Sequence, residues 1–238
     1  MQISVSFPVN TTDRCVLADT MFRFILKRLK PDDDPKDYNW IEMSFFTRCT
    51  DKANLLVCFD TPKGFPQQFV DTLNACLGDT SAIFRTPYVF HVILLDALVP
   101  IYDQSIWDLS ERMRKIEKVP TFETLTMFMK ILTAIFYDIQ KRERLTDESF
   151  PMLHEVARHT AHATETVQVA GNVIERMASE CEALAERQTD DAAEQAMYER
   201  LESLRMHHSM MLGVAARSIS NEKRLSNEIN LVKLTLPE

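Results

Sequence analysis

Apolar and polar residues alternate in the first sixty positions of the chain in a way that predicts a small sheet. Ile3, Val5 and Phe7 alternate with serines, and this period of two is typical of a strand. Residues 40–47 and 54–59 predict two further strands. Residues 54–59 are continuously apolar, so we expect them to form a central strand that is buried on both faces.

The rest of the chain has mainly helical patterns. Residues 16–30 end in Lys and Arg and predict an amphipathic helix, and 66–77 predict a short helix that stops at Gly78. Residues 87–118 predict a helix broken at Pro100 and ended by Pro120. Residues 121–143 predict a separate, very apolar helix in the core of the body.

Two long helices are predicted over residues 152–187 and 190–232, joined by a short polar linker. Both have apolar or small residues at steps of three or four, which predicts a continuous buried stripe. The first stripe is Leu153, Val156, Thr160, Ala163, Val167, Ala170, Ile174, Met177, Cys181 and Leu184. The second is Met197, Leu201, Leu204, His208, Met211, Ala215, Ser218, Glu222, Leu225, Ile229 and Val232.

Together these patterns predict an α+β, mostly helical fold with a small N-terminal sheet and flanking helices. We expect residues 1–145 to form an α/β body with a helical core, and residues 146–238 to form a long antiparallel helix pair. The last helix would be roughly 60 Å long, so we expect it to project from the body like a stalk or to pair with copies of itself. The 4 glycines among 238 residues fit long helices, which need few turns.

Composition narrows the function classes. The chain has 27 Lys+Arg against 35 Asp+Glu, a formal charge of −8, which argues against sequence-independent nucleic-acid binding. The 5 cysteines contain no CxxC pair and predict reduced thiols in a cytoplasmic protein. The N-terminus does not have the features of a signal peptide, and the apolar runs 89–101 and 125–137 are interrupted by polar residues and predict buried helices.

A group of ionisable residues suggests a metal site. Glu155, His159 and His162 are spaced i, i+4, i+7, which puts them on one face of a helix, and they are ligand types for Zn, Mn or Fe. The alternative is a polar helix face whose side chains pair with each other and with solvent. The spacing is not HExxH, and a second ligand cluster is not evident in the sequence.

Other candidate chemistry is sparse. GxSxG, GxxxxGK[ST] and GxGxxG are absent from the sequence, so we expect no catalytic residues and no enzymatic role. Cys58 lies in an apolar strand and is expected to be inert, and His208 is expected at the helix seam. The carboxylates around 180–202 predict either a solvated hairpin tip or a surface that holds hydrated Mg²⁺ weakly.

Three segments together resemble the cytosolic portion of CorA-type magnesium transporter-like proteins, especially the fungal ones. They are residues 101–109 with 116–118, residues 153–159 with His162 and Glu165, and residues 217–231; the likeness extends over residues 53–232. The resemblance implies an α/β body and a long stalk helix that assembles into a funnel-like pentamer. It also implies that acidic contacts between subunits sense cytosolic Mg²⁺.

The sequence departs from that family in one respect: the Gly-Met-Asn motif of the pore is absent. We therefore expect a regulatory and oligomerisation module without a pore in this chain, which reaches a membrane only through a segment beyond Glu238. Leu225, Ile229 and Val232 would be stalk contacts between copies, and Mg²⁺ would bind weakly. The alternatives are a stand-alone helical interaction protein with an unidentified partner, and a metalloenzyme that uses Glu155, His159 and His162.

Overall fold

The structure is a computed structural model that describes residues 5–6, 16–29, 38–50, 54–76, 87–131 and 139–235. Within these ranges it describes the side chains of residues 18–29, 38–50, 54–75, 87–114 and 153–230. The strands are β1 (Val5–Ser6), β2 (Val16–Leu29), β3 (Tyr38–Thr50) and β4 (Asn54–Phe59). The helices are α1 (Phe65–Cys76), α2 (Val89–Ile131), α3 (Ile139–Ala185) and α4 (Asp191–Thr235). The predicted α+β, mostly helical fold class is confirmed.

The strands form one sheet in the order β1-β2-β3-β4. β1 pairs antiparallel with β2, and β3 pairs antiparallel with β4. Thr20, early in β2, contacts Thr47 near the end of β3, and Arg23, later in β2, contacts Glu42 near the start of β3. These two central strands therefore also run antiparallel.

The prediction of a helix over residues 16–30 is wrong, because Val16–Leu29 form the strand β2. Thr20, Phe22, Phe24 and Leu26 are buried, whereas Met21 is exposed and Arg23 and Ile25 are half-buried. This alternation is the period of a strand with one face on the core. The Met, Leu, Lys and Arg content favoured a helix, but packing against the sheet overrides such intrinsic preferences.

The strand at 54–59 is confirmed, but its predicted central position is wrong. β4 lies at an edge of the sheet, and Leu55 and Phe59 are 50% and 49% exposed. Its apolar side chains therefore lie on an outer surface of this part of the chain. Cys58, expected to be inert inside the sheet, is exposed.

Thiol alkylation distinguishes the exposed Cys58 from the buried Cys49 and Cys181. Burial raises the pKa of Cys49 and of Cys181 to about 12, and both thiols are inaccessible, whereas Cys58 is exposed although its pKa is also raised by desolvation. Because the thiolate is the reactive species, we expect iodoacetamide at pH 8 to modify Cys58 at least ten times faster than Cys49 or Cys181. Peptide mass spectrometry measures this, and denaturant removes the difference. Equal rates in the native chain would contradict the edge position of β4.

α2 is longer than predicted. It continues through Pro100, whose side chain is exposed, and through Pro120 to Ile131, so the predicted break at Pro100 and helix end at Pro120 are wrong. The separate helix predicted over 121–143 is not formed, because its first part belongs to α2. In the described residues, Val89–Arg114 has the length and composition of a membrane span, but 61% of its most apolar window is buried inside the chain.

The helical hairpin of α3 and α4 is confirmed, although α3 begins at Ile139 and includes Pro151 in its interior. Every residue of the predicted α3 stripe is buried except Leu184, which is half-buried. Cys181 contacts Met197 near the loop, and Thr164 contacts Ser218 farther from it, so the helices run antiparallel. Asp190 caps α4, because its Oδ2 accepts a hydrogen bond from the Ala193 N–H at 3.1 Å.

The α4 stripe is confirmed from Met197 to Leu225 except at His208 and Glu222, which are half-buried, and Ile229 beyond it is half-buried too. His207 is 2% exposed and His208 is only half-buried, the reverse of the prediction. The Nδ1 of His207 donates to the Ser203 carbonyl at 2.7 Å, and its Nε2 lies 2.8 Å from Asp96 Oδ1. A 3.6-residue helix drifts from a strict heptad, which places position 207 rather than 208 towards α2. Val232 lies outside the described side chains.

The chain divides into two compact units. Unit 1 comprises Met1–Leu26, Trp40–Asp103 and Thr166–Ala215, and unit 2 comprises Lys27–Asn39, Gln104–Glu165 and Ala216–Glu238. Unit 1 has an aromatic core in which Phe22 stacks on Phe45 and Phe24 meets Tyr102 edge to face. Unit 2 has an apolar cluster of Met113, Leu153, Val156 and Leu225. The division into domains at residue 145 stays a prediction.

Candidate functional site

Polar and aromatic side chains gather in unit 2 around a buried lysine. We call this group the Lys27 cluster; it consists of Lys27, Tyr38, Glu155, Arg158, His159 and His162. Lys27 comes from the end of β2, Tyr38 from the start of β3, and the others from α3.

Lys27 lies inside the cluster and is 5% exposed. Its backbone carbonyl accepts a hydrogen bond from Ser105 Oγ at 2.5 Å, which ties the end of β2 to α2. Its Nζ lies 3.1 Å from His162 Nδ1 and 5.2 Å from the centre of the Tyr38 ring. The lysine head group is thus held by an imidazole nitrogen and an aromatic face.

His159 is the second buried polar residue, 6% exposed. Its ring stacks on Tyr38 with the centroids 3.4 Å apart, and its Nε2 is 3.5 Å from Glu155 Oε2. Neither ring nitrogen makes a hydrogen bond in the described structure. Arg158, one residue earlier, contacts Glu155 Oε2 at 2.5 Å, so this carboxylate is drawn towards the arginine.

Burial is the largest cause of the pKa shifts in the cluster. Burial, then Arg158, lowers the pKa of Lys27, and Glu155 partly opposes this. Burial, then Lys27 and Arg158, lowers the pKa of His159 to about 4. Burial raises the pKa of Tyr38 to about 12 although Arg112 acts in the other direction. At neutral pH, His159 is therefore a neutral imidazole beside cations.

The metal site at Glu155, His159 and His162 stays a prediction. Glu155, His159 and His162 share a face of α3 as predicted, but the Nδ1 of His162 faces the Lys27 Nζ, and Glu155 is ion-paired with Arg158. In the described parts of the chain, no three or more His, Cys, Asp or Glu residues are arranged to hold a metal ion. The nearby cations also repel a metal cation.

Lys27 and Tyr38 were not predicted as site residues. Lys27 had been placed at the end of a helix, where an exposed cation is ordinary. Residues 20–26 show the alternation of a strand, which is a signal that β2 continues to Lys27. A lysine within a strand has neighbours that are fixed by the sheet.

The acidic hairpin tip contains several carboxylates that contact arginines. Glu180 pairs with Arg176 at 2.9 Å and accepts a hydrogen bond from Tyr88 at 3.3 Å. Arg205 contacts Glu182 at 2.8 Å and Glu202 at 3.2 Å. Part of the tip's negative charge is therefore balanced within unit 1.

The predicted stalk contacts have different environments. Leu225 is 1% exposed and packs against Met113, Leu153 and Val156 of the same chain, and Ile229 packs at the edge of this cluster. Leu225 therefore belongs to the core of unit 2, and its burial leaves little surface for a contact between copies.

No protein-family model matches the sequence. The chain is similar to the notoamide biosynthesis cluster protein M' of Aspergillus versicolor, with 30% identity over 94 residues. The matched stretch is 40% of this chain and spans 19% of that protein's length.

Proposed function

We propose that this chain is a regulatory and oligomerisation module that resembles the cytosolic part of CorA-type magnesium transporters and responds weakly to Mg²⁺. The pore is not part of this chain. α4 is the stalk-like element, and it would connect the module to the membrane through residues beyond Glu238.

The observation that carries the proposal is that the three segments with the family resemblance contact one another in unit 2. Trp107 of the first segment lies 4.6 Å from the Arg217 guanidinium of the third. Leu153 and Val156 of the second segment pack against Leu225 of the third. Contacts between segments that are far apart in sequence and share a resemblance support a common origin of this unit.

A hydrogen bond supports the same arrangement. Asn221 Nδ2 donates to Ser110 Oγ at 2.7 Å, and both side chains are buried. Buried polar pairs of this kind fix the register of neighbouring helices. α2 is thereby held against the part of α4 that carries the resemblance, and α4 is helical as far as Thr235.

Carboxylates suited to weak Mg²⁺ binding remain exposed at the hairpin tip. Glu186, Asp191 and Glu199 are exposed. Mg²⁺ is usually held by a few carboxylates while it keeps several waters, so this surface can hold it without a closed site.

Magnesium titration tests the proposal. We expect 10 mM MgCl₂ to raise the melting temperature of the chain by about 2–4 °C relative to NaCl of equal ionic strength. The variant Glu186→Gln/Asp191→Asn/Glu199→Gln should lose most of this shift. Glu165→Gln, an exposed carboxylate on α3 in unit 2, is the matched control and should keep it. An unchanged melting temperature in Mg²⁺, Ca²⁺ and Co²⁺ would contradict cation sensing.

The alternative is a stand-alone helical interaction protein. It is favoured by the exposed apolar side chains Met206, Met210 and Leu212 of α4, which are 53%, 48% and 55% exposed. Such a surface marks a contact with another protein when it is contiguous. A reading frame that continues past Glu238 into two apolar spans supports the module; one that ends there, together with no response to Mg²⁺, favours the alternative.

A further inference from the structure

We propose that β4 is a dimerisation edge, on which the β4 strand of a second copy of this chain pairs antiparallel and joins the two sheets into one. The inference rests on the oligomerisation part of the proposed function, and it assigns a contact in unit 1 that does not need Mg²⁺.

The open edge of β4 is the first argument. In the sheet order β1-β2-β3-β4, β4 pairs with β3 on one side, and among the described residues no strand pairs with its other side. Alternate residues of an edge strand direct their N–H and C=O groups away from the sheet, and another strand is the complement of such a row. The occupant expected on this edge is therefore an extended backbone.

The composition of β4 is the second argument. Soluble proteins usually protect an edge strand with charged residues, proline or a β-bulge. Asn54–Phe59 has no charged residue and no proline, and its register with β3 runs without a bulge from one end to the other. Leu55 and Phe59 are 50% and 49% exposed. A partner strand would remove this apolar surface from water.

The order of residues in β4 favours a second copy as the partner strand. When a two-fold axis perpendicular to the sheet relates two antiparallel strands, one residue lies opposite itself. With Val57 at the axis, Leu55 lies opposite Phe59 of the other copy, and Leu56 lies opposite Cys58 of the other copy. Each apolar side chain then meets another apolar side chain, and no like charges are opposed.

The same axis continues the outer face of the sheet across both copies. Phe46 of β3 is paired with Val57 in the observed register and is half-buried. Residues directly opposite each other in an antiparallel pair lie on the same face, so Phe46, Val57 and their two copies would form one row. Aromatic and β-branched residues in such cross-strand rows stabilise the pairing.

The contact is small, because a strand of 6 residues meets its own copy. Interfaces well below the standard size form weak, reversible complexes, so we expect a dimer with a Kd of about 10–100 µM. Sedimentation velocity of the full chain without Mg²⁺, over a series from about 1 to 500 µM, measures this equilibrium.

A charge exchange at Val57 tests the register. Val57→Lys and Val57→Glu each oppose two like charges at the axis, and each alone should weaken the dimer by about tenfold or more. An equimolar mixture opposes a lysine to a glutamate and should restore the Kd to within about threefold of the unmodified value. Val70→Lys, at an exposed position of α1 in the same unit, is the matched control and should dimerise as the unmodified chain does.

Alkylation of Cys58 provides a readout that needs no variant of β4. Because Leu56 of the other copy would cover this thiol, its reaction with iodoacetamide should slow by about threefold or more from the lowest to the highest concentration. The fast reaction of the exposed Cys58 described above is expected at the lowest concentration, where the chain is monomeric. Cys49 and Cys181, which are buried within the chain, should show no dependence on concentration.

The proposal would be overturned if the unmodified chain stays monomeric over the whole series, or if Cys58 reacts at one rate throughout. It would also be overturned if Val57→Lys dimerises as Val70→Lys does, or if the mixture stays monomeric although both variants keep the circular dichroism spectrum of the unmodified chain. Glu186→Gln/Asp191→Asn/Glu199→Gln should still dimerise without Mg²⁺, so a failed Mg²⁺ response and a failed β4 contact are separate results.

Discussion

Lowering the pH from about 6.5 towards 3 destabilises the native chain by up to about 1.4 kcal/mol per pH unit through His91 alone. His91 is 3% exposed in unit 1, and its Nε2 lies 2.7 Å from Thr20 Oγ1. The rings of Phe22 and Tyr88 pack against it. Burial lowers its pKa to about 3.

The sign of the effect follows from the two pKa values of His91. In the unfolded chain the imidazole has a pKa of about 6.5, so it takes up a proton first as the pH falls. The native state stays neutral down to about pH 3. The unfolded state is therefore favoured increasingly below pH 6.5, and the contribution of neutral His91 is fully present only above that value.

Urea unfolding at pH 7, 5.5 and 4.5 measures this effect. His91→Gln keeps a hydrogen-bonding side chain; we expect it to cost about 1–2 kcal/mol at pH 7 and to remove about one proton from the pH slope. Gln168→Ala, at an exposed position of α3, removes no ionisable group and is the control that should leave the slope unchanged. The same slope in His91→Gln and in the unmodified chain would show that His91 does not carry the effect.

Leu225→Ala is expected to lower the free energy of unfolding by about 2–5 kcal/mol. The physical reason is a cavity among Met113, Leu153 and Val156, which already surround the side chain within one chain. Leu212→Ala removes the same atoms from an exposed position of α4, and we expect its effect to be within about 0.5 kcal/mol.

Denaturant unfolding at two protein concentrations tests the Leu225 prediction. Because the packing lies within one chain, the loss should be the same at both concentrations. A loss that appears only at high concentration, together with a weaker oligomer, would mean that Leu225 packs between copies as the family resemblance implies.

Helices and strands with a regular period of hydrophobic residues were predicted best. The steps of three and four on α3 and α4 identified a buried stripe almost completely, and the alternation of β3 (Met43, Phe45, Thr47 and Cys49 buried) agrees with its prediction as a strand. The prediction for residues 16–30 failed because it followed their amino-acid composition and not the period of their hydrophobic residues. β2 was taken for a helix although Phe22, Phe24 and Leu26 alternate with more exposed residues.

Predictions from single residues failed where tertiary context decides. Pro100 was expected to break a helix and Pro120 to end it, yet α2 continues through both. A proline costs one backbone hydrogen bond, and packing of the rest of a long helix can offset that cost. The edge position of β4 depends on strand order, which residues 54–59 do not encode by themselves.

Only the part of the candidate site that lies on α3 could be predicted from the sequence. The i, i+4, i+7 spacing correctly placed Glu155, His159 and His162 on one helix face, because that is local geometry. Lys27 lies more than a hundred positions earlier in the chain, and its contact with His162 follows only from the folded arrangement of unit 2. That contact places a lysine head group beside the helix face on which the metal site was predicted.

Sedimentation velocity of the full chain with and without 10 mM Mg²⁺ tests the proposed module most directly. We expect Mg²⁺ to shift the distribution of oligomers of the unmodified chain, and we expect no shift in Glu186→Gln/Asp191→Asn/Glu199→Gln. A sedimentation profile that is the same with and without Mg²⁺, in the unmodified chain and in the variant, at every protein concentration measured, would contradict the proposed module.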